Sequence, residues 1–171
     1  MPQPDGSQRT DTFVGRSREL AVLSAAMRQA TAGDARLALV AGEPGIGKTE
    51  LARAFARAAG NDGAVVLWGS AWEDGGAPPY WPWVQVLRGY GRQAGAEALA
   101  EAAGPQAAVL GQLLPELGTA PASAGPASGA RFALFEAVCA VLDRASRSAP
   151  LTVILDDLHA CLLYTSPSPR D

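Results

Sequence analysis

Lysine is almost missing from this chain: of fourteen Lys and Arg residues among 171, only Lys48 is a lysine. Histidine occurs once, as His159, cysteine twice, as Cys139 and Cys161, and aromatics make up 6%. Two cysteines without metal-ligand spacing exclude a disulfide framework and suit a reducing compartment. A net charge of −3 leaves no basic footprint, so this segment is not expected to contact nucleic acid directly. No apolar run approaches the ~18 residues of a membrane span. The amino-terminal MPQPDGSQRTD has no apolar signal region either. Together these absences predict a cytoplasmic protein with no membrane partner, long enough for one domain with a real core.

The lone lysine sits in GEPGIGKT, Gly42 to Thr49. The spacing G-x-x-x-x-G-K-T is that of a P-loop, whose backbone cradles phosphate. Gly42, Gly45 and Gly47 let successive N–H groups turn inward around phosphate oxygens, with Glu43, Pro44 and Ile46 completing the nucleotide-binding stretch. The following helix adds its positive amino-terminal end. Lys48 brings a compact ammonium for the outer phosphates, which also makes it a catalytic candidate, and the Thr49 hydroxyl is a candidate Mg²⁺ ligand. A glycine-rich turn with a chance lysine is the competing reading, and the strand, loop, helix context weighs against it.

Along the chain, residues 1 to about 11 are polar and predict a disordered tail. Leu20, Leu23 and Met27 recur at helical spacing from Ser17 to about Ala32, with Gly33 as the stop. Leu37 to Ala41 is a short apolar run that reads as a strand buried on both faces. A helix with Leu51, Phe55 and Ala58 on its inner stripe follows, then a second strand, Ala64 to Trp68. Glu73 to Pro79 is a Gly/Pro loop, and a helix runs from the Tyr80-Trp81-Pro82-Trp83 cluster to about Arg92. Gly118 to Gly129 reads as a flexible connector. Phe132, Phe135, Cys139 and Leu142 mark one face of a helix ending near Ser148, and Leu151 to Leu155 is a third buried strand. The order predicts an α/β fold, a P-loop NTPase with a parallel sheet and flanking helices.

The third strand runs into Asp156 and Asp157, at the end of a strand where open α/β sheets bind ligands. Alone this is a weak signal, because a buried strand can end in acids that merely cap a turn. Behind a P-loop it becomes a Walker B candidate, with Asp156 holding Mg²⁺ through its water shell and Asp157 orienting or deprotonating water as the catalytic carboxylate. His159 reads as a polar orienting residue beside the acids rather than a proton carrier, since phosphoryl transfer depends mainly on positioning and charge. Trp68, Trp72, Tyr80, Trp81, Trp83 and Tyr90 read as core packing and loop anchors more than as a base-stacking platform, because no basic residues interleave from Trp68 to Trp83. Arg88 and Arg92 read as a solvated helix face.

Phe13-Val14-Gly15-Arg16, Arg18-Glu19-Leu20, VAGEPGIGKT, GGAPPYWPWVQVLR and PLTVILDDLH, taken together, resemble the ATPase module of large LuxR-type and related STAND-class regulators. That module is in turn similar to the origin-recognition-like branch of AAA ATPases. The resemblance runs from about Phe13 to Ala160 and implies ATP and Mg²⁺ as ligands, with Val14, Gly15 and Arg16 near the adenine. From the residues alone, that triplet would be only the entrance to a helix. The resemblance also implies a nucleotide-dependent switch, with sensor and output domains elsewhere in the full-length chain and nucleotide-dependent self-association. Asp157 departs from the Glu that many AAA relatives carry at this position, which suits slow turnover. A metabolic P-loop kinase and an AAA ATPase acting on DNA remain alternatives. The first would phosphorylate an added metabolite, and the second would need a basic domain that this segment lacks.

The last residues, CLLYTSPSPRD from Cys161 to Asp171, change character abruptly and resemble a translated sequencing adapter. The expected organisation is therefore a tail over 1–11, the amino-terminal part of the ATPase domain over 12–160, and a non-native string over 161–171. On that expectation the fold is incomplete at its carboxyl end, with about three of five core strands present. The implied strand order, 5-1-4-3-2, would leave the P-loop strand and the Walker B strand without a shared neighbour. The fragment would then be marginally stable and would lack the sensor residue, any arginine finger and the lid.

Overall fold

An apolar stretch becomes a strand only when a neighbour accepts its main-chain hydrogen bonds, and among the described residues two stretches meet that condition. The computed structural model describes residues 15–71, 78–118 and 127–158. The chain divides into two compact units, Met1–Arg57 and Ala58–Asp171.

The first unit holds helix α1 (Ser17–Thr31) and the start of α2 (Lys48–Asn61). The α1 periodicity is the one read from sequence, with Leu23 as its buried residue. It ends in a Schellman arrangement: the Gly33 N–H donates to Ala30 O at 3.0 Å and the Asp34 N–H to Gln29 O at 3.3 Å. Gly33 takes φ +108°, a value that side-chain-bearing residues resist, so the predicted stop has a backbone cause. On α2, Leu51 and Ala59 are buried and Phe55 half-buried.

The expected strand at Leu37 to Ala41 does not form. Residues 34–43 are irregular, and Leu37 and Leu39 are 97% and 87% exposed. The described residues supply no strand beside this run, and an apolar run without lateral partners gains nothing from an extended ladder. The described sheet therefore has two strands, one fewer than the sequence predicts.

In the second unit, β1 (Val65–Ser70) pairs in parallel with β2 (Leu151–Asp156), from Val65 opposite Leu151 to Ser70 opposite Asp156. Between them the chain makes α3 (Trp81–Ala94), α4 (Ala96–Ala103), the short α5 (Ala107–Leu110) and the long α6 (Ala127–Ser148). The fold is thus α/β, a parallel sheet flanked by helices, as expected. Leu67 of β1, Val86, Leu87 and Tyr90 of α3, Leu110 of α5, Leu114, and Val141 of α6 form one core. Full burial of a side chain such as Leu87 or Leu110 contributes ~1.5–3 kcal/mol.

Two sequence expectations change here. The buried face of α6 is Leu134, Ala137, Val138, Val141 and Ala145, whereas Phe132, Phe135 and Cys139 of the predicted face are exposed and only Leu142 packs on the core. The helix carries two apolar stripes, and small residues at 137 and 145 allow the closer approach. Residues 127–129, assigned to the connector, open α6 instead. The helices over 96–110 went unassigned in sequence. Among the described residues no helix is long and apolar enough to cross a membrane. The tails 1–11 and 161–171 and most of the 73–79 loop lie outside the described residues.

Candidate functional site

Each unit carries one cluster of the residues singled out in the sequence. In the first, the loop before α2 is curled: Gly45 and Gly47 have φ +75° and +87°, and the space where a Cβ would stand is open for 4 Å around both. Ile46 N–H donates to Glu43 O at 3.3 Å, closing the loop, and Leu51 N–H donates to Gly47 O at 3.0 Å, starting the helix. The main-chain N–H groups of Gly45, Gly47, Lys48 and Thr49 have no backbone acceptor among the described residues. They stand at the positive end of a fourteen-residue helix, an arrangement suited to an anion.

Lys48 Nζ donates to Gly42 O and to Glu43 O, both at 3.0 Å, so the ammonium folds back over the loop. An ammonium has three donors, and these two bonds leave one. The Arg16 guanidinium donates to Ile46 O. Arg16 thus joins Gly42, Glu43, Ile46 and Lys48 in one cluster, while Gly15 is exposed with φ +107° and Val14 lies outside the described residues. Thr49 is half-buried in the first turn of α2, and Glu43 and Pro44 are exposed.

In the second unit Asp156 is the last residue of β2 and half-buried. Its carbonyl accepts the Ala71 N–H at 3.1 Å, and its Oδ1 accepts the Asp157 N–H at 3.1 Å. Asp157 is exposed and left-handed, with φ +56°, a conformation that aspartate tolerates better than most residues. His159 and Trp72 lie outside the described residues.

Tyr90 belongs to the core, and Tyr80, Trp81 and Trp83 pack against it. The Tyr80 ring meets Phe135 edge-on at 5.8 Å. These aromatics are engaged in packing. Arg88 is paired with Glu116, Nε to Oε1 at 2.9 Å and Nη2 to Oε2 at 3.4 Å. That pair draws Glu116 below the usual carboxylate range and raises the Arg88 guanidinium. Arg92 is exposed.

Two residues of α3, the first of them near Asp156, escaped sequence analysis. Gln85 and Gln93 on α3 donate to main-chain carbonyls of β1, and their only sequence signal is amide side chains eight positions apart on an otherwise apolar and basic helix.

Among the described residues no group of three or more His, Cys, Asp or Glu is placed to hold a metal. Within its own unit each cluster offers hard oxygen donors, the Thr49 hydroxyl in the first and the Asp156 carboxylate in the second, and such donors suit Mg²⁺, which keeps several of its waters, better than Zn²⁺. The open N–H groups and the ammonium fit a polyphosphate. The family described as AAA ATPase domain matches residues 12–165 of the chain. Comparison with curated proteins and with solved structures returns no match.

Proposed function

The chain belongs to the AAA ATPase domain family, which implies ATP binding and points to hydrolysis at the P-loop, and from that premise we propose a nucleotide switch. It serves a bacterial signalling or transcriptional regulator of the LuxR-type, STAND-class kind, in the cytoplasm, with sensor and output domains elsewhere in the full-length protein. The observation that carries the reading is the Lys48 ammonium held on Gly42 O and Glu43 O above a loop whose N–H groups are open.

In this reading the N–H groups of Gly45, Gly47, Lys48 and Thr49 hold phosphate oxygens, with Glu43, Pro44 and Ile46 shaping the loop that presents them. Lys48 transfers its proton donors from the loop carbonyls to the outer phosphates. Thr49 Oγ1, and Asp156 through the water shell of the ion, are the residues that would hold Mg²⁺, which would supply positive charge against the phosphates. Asp157 orients the attacking water and accepts its proton. The Val14-Gly15-Arg16 triplet is assigned to adenine recognition, and the bond from Arg16 to Ile46 O would tie that recognition to the phosphate loop. Aspartate at 157, shorter by a methylene than glutamate, supports slow turnover, and slow turnover supports a switch that associates with itself in one nucleotide state.

The test is Lys48→Ala in the full-length protein, with ATP binding measured by calorimetry. Losing a charge-assisted contact predicts at least about 10-fold weaker binding with the fold intact. Undiminished binding would remove the P-loop assignment, and phosphorylation of an added metabolite in place of phosphate release would point to a kinase.

A further inference from the structure

The hydrogen bonds of β1 alternate between its two edges. Val65 N–H donates to Pro150 O at 2.8 Å and Ala71 N–H to Asp156 O at 3.1 Å, so the odd-numbered residues face β2. The carbonyls of Val66 and Ser70 therefore point to the opposite edge, where α3 supplies an amide for each: Gln93 Nε2 donates to Val66 O and Gln85 Nε2 to Ser70 O, both at 2.8 Å. The two bonds differ in what stands behind them. The Ser70 carbonyl and the Ala71 N–H belong to one peptide unit, and that N–H is the donor to Asp156 O. A continuous chain of hydrogen bonds thus runs from Gln85 through a single peptide plane to the main chain of Asp156.

We propose that Gln85 is a positioning residue for Asp156, acting through the Ser70–Ala71 peptide; this rests on the reading of Asp156 as a Mg²⁺ ligand. A bond to one end of a peptide unit polarises the other, strengthening the Ala71 donation and holding the plane against rotation. Close packing supports the same arrangement. A Cβ on Gly69 would stand 2.4 Å from Pro82 O, so the absence of a side chain lets the first turn of α3 sit directly on the end of β1. Gln85 is anchored one turn further along that helix, and the carboxylate is attached to the backbone it steadies. Gln93 repeats the bond at Val66, level with Thr152, where no site residue stands.

That repetition provides the control. In the full-length protein, Gln85→Leu and Gln93→Leu each remove one amide-to-carbonyl bond of equal length. Gln85→Leu is expected to speed hydrogen exchange of the Ala71 amide by about 5-fold and to reduce by a similar factor the tightening of ATP binding by Mg²⁺ over EDTA. Gln93→Leu should leave both unchanged. Equal effects of the two variants, or an unaltered Ala71 amide in Gln85→Leu, would reduce Gln85 to a cap on a sheet edge and overturn the proposal. Should Gln85→Leu fail to fold, Gln85→Met retains the side-chain length and carries the same expectations. Asp156→Ala separates the two layers of inference. If it leaves the Mg²⁺ effect intact, the ligand role of Asp156 fails, while the Ala71 exchange rate still decides whether Gln85 holds the peptide.

Discussion

Replacing Gly69 with alanine adds one methyl group at the tightest contact between β1 and α3. The new Cβ would lie 2.4 Å from Pro82 O, 2.9 Å from its carbonyl carbon and 3.1 Å from its Cα, whereas real Cβ atoms essentially never come within 3.0 Å. All three opposing atoms are backbone, so no side chain can rotate away. Either β1 or the first turn of α3 must move, and the core residues Leu67, Val84 and Leu87 lie between them. Overpacking of this kind costs about 1–3 kcal/mol. With a urea m-value of roughly 1–3 kcal/mol per M, the denaturation midpoint should fall by on the order of 1 M at unchanged slope. Gly60→Ala is the matched comparison: its Cβ would meet nothing within 4 Å in a helical stretch of α2, and it should stabilise by ~0.5–1 kcal/mol. Equal midpoints for wild type and Gly69→Ala would refute the steric reasoning, as would destabilisation by Gly60→Ala.

Asp157→Asn keeps the size of the side chain and removes its basicity, so steady-state phosphate release should fall by about 10²-fold or more with ATP affinity retained; unchanged turnover would count against its assigned role. Arg144 Nη1 donates to Ala102 O at 2.6 Å and to Ala103 O at 3.0 Å, supplying a cation to the carboxyl end of α4, and Arg144→Leu should cost ~1–2 kcal/mol by urea denaturation. Glu116 has its pKa lowered by Arg88, so the pair's stabilisation is present above the unfolded-state value, about 4.3, and is lost as pH falls through the folded value. With the side chains 41% and 46% exposed, this amounts to no more than about 0.5–1 kcal/mol, and Glu116→Gln should flatten the acid limb of stability against pH by that amount.

Local rules carried the sequence reading far where neighbours in the chain decide the structure. The Leu20, Leu23, Met27 spacing and Gly33 delimit α1, and Val65 and Leu151 begin strands that the apolar runs predict. The curled GEPGIGKT loop likewise depends on its own glycines, so its shape was legible from eight residues. The failures share a different cause. Leu37 to Ala41 has a strand's composition, but a strand also needs partners, which composition does not supply. On α6, periodicity offers Phe132 with Phe135 and Leu134 with Val138 alike, and only the fit against α4 and α5 chooses the second. The Leu134, Val138, Val141, Ala145 spacing carried that answer, but the larger aromatics outweighed it. Gln85 and Gln93 bind carbonyls, which look identical in every residue, so no motif announces them.

The register of β1 against β2 also has a meaning in time. Ser70 and Asp156 are neighbours in space but are separated by α3, α4, α5 and α6 in the chain, so their pairing closes a long loop. Pairings of such high sequence separation form late, after the local helices have already appeared. During synthesis the curled phosphate loop would leave the ribosome well before the aspartate acquired its strand partner. The acid is therefore the last of the assigned groups to be fixed, and its arrival reports that β1 and β2 have found each other.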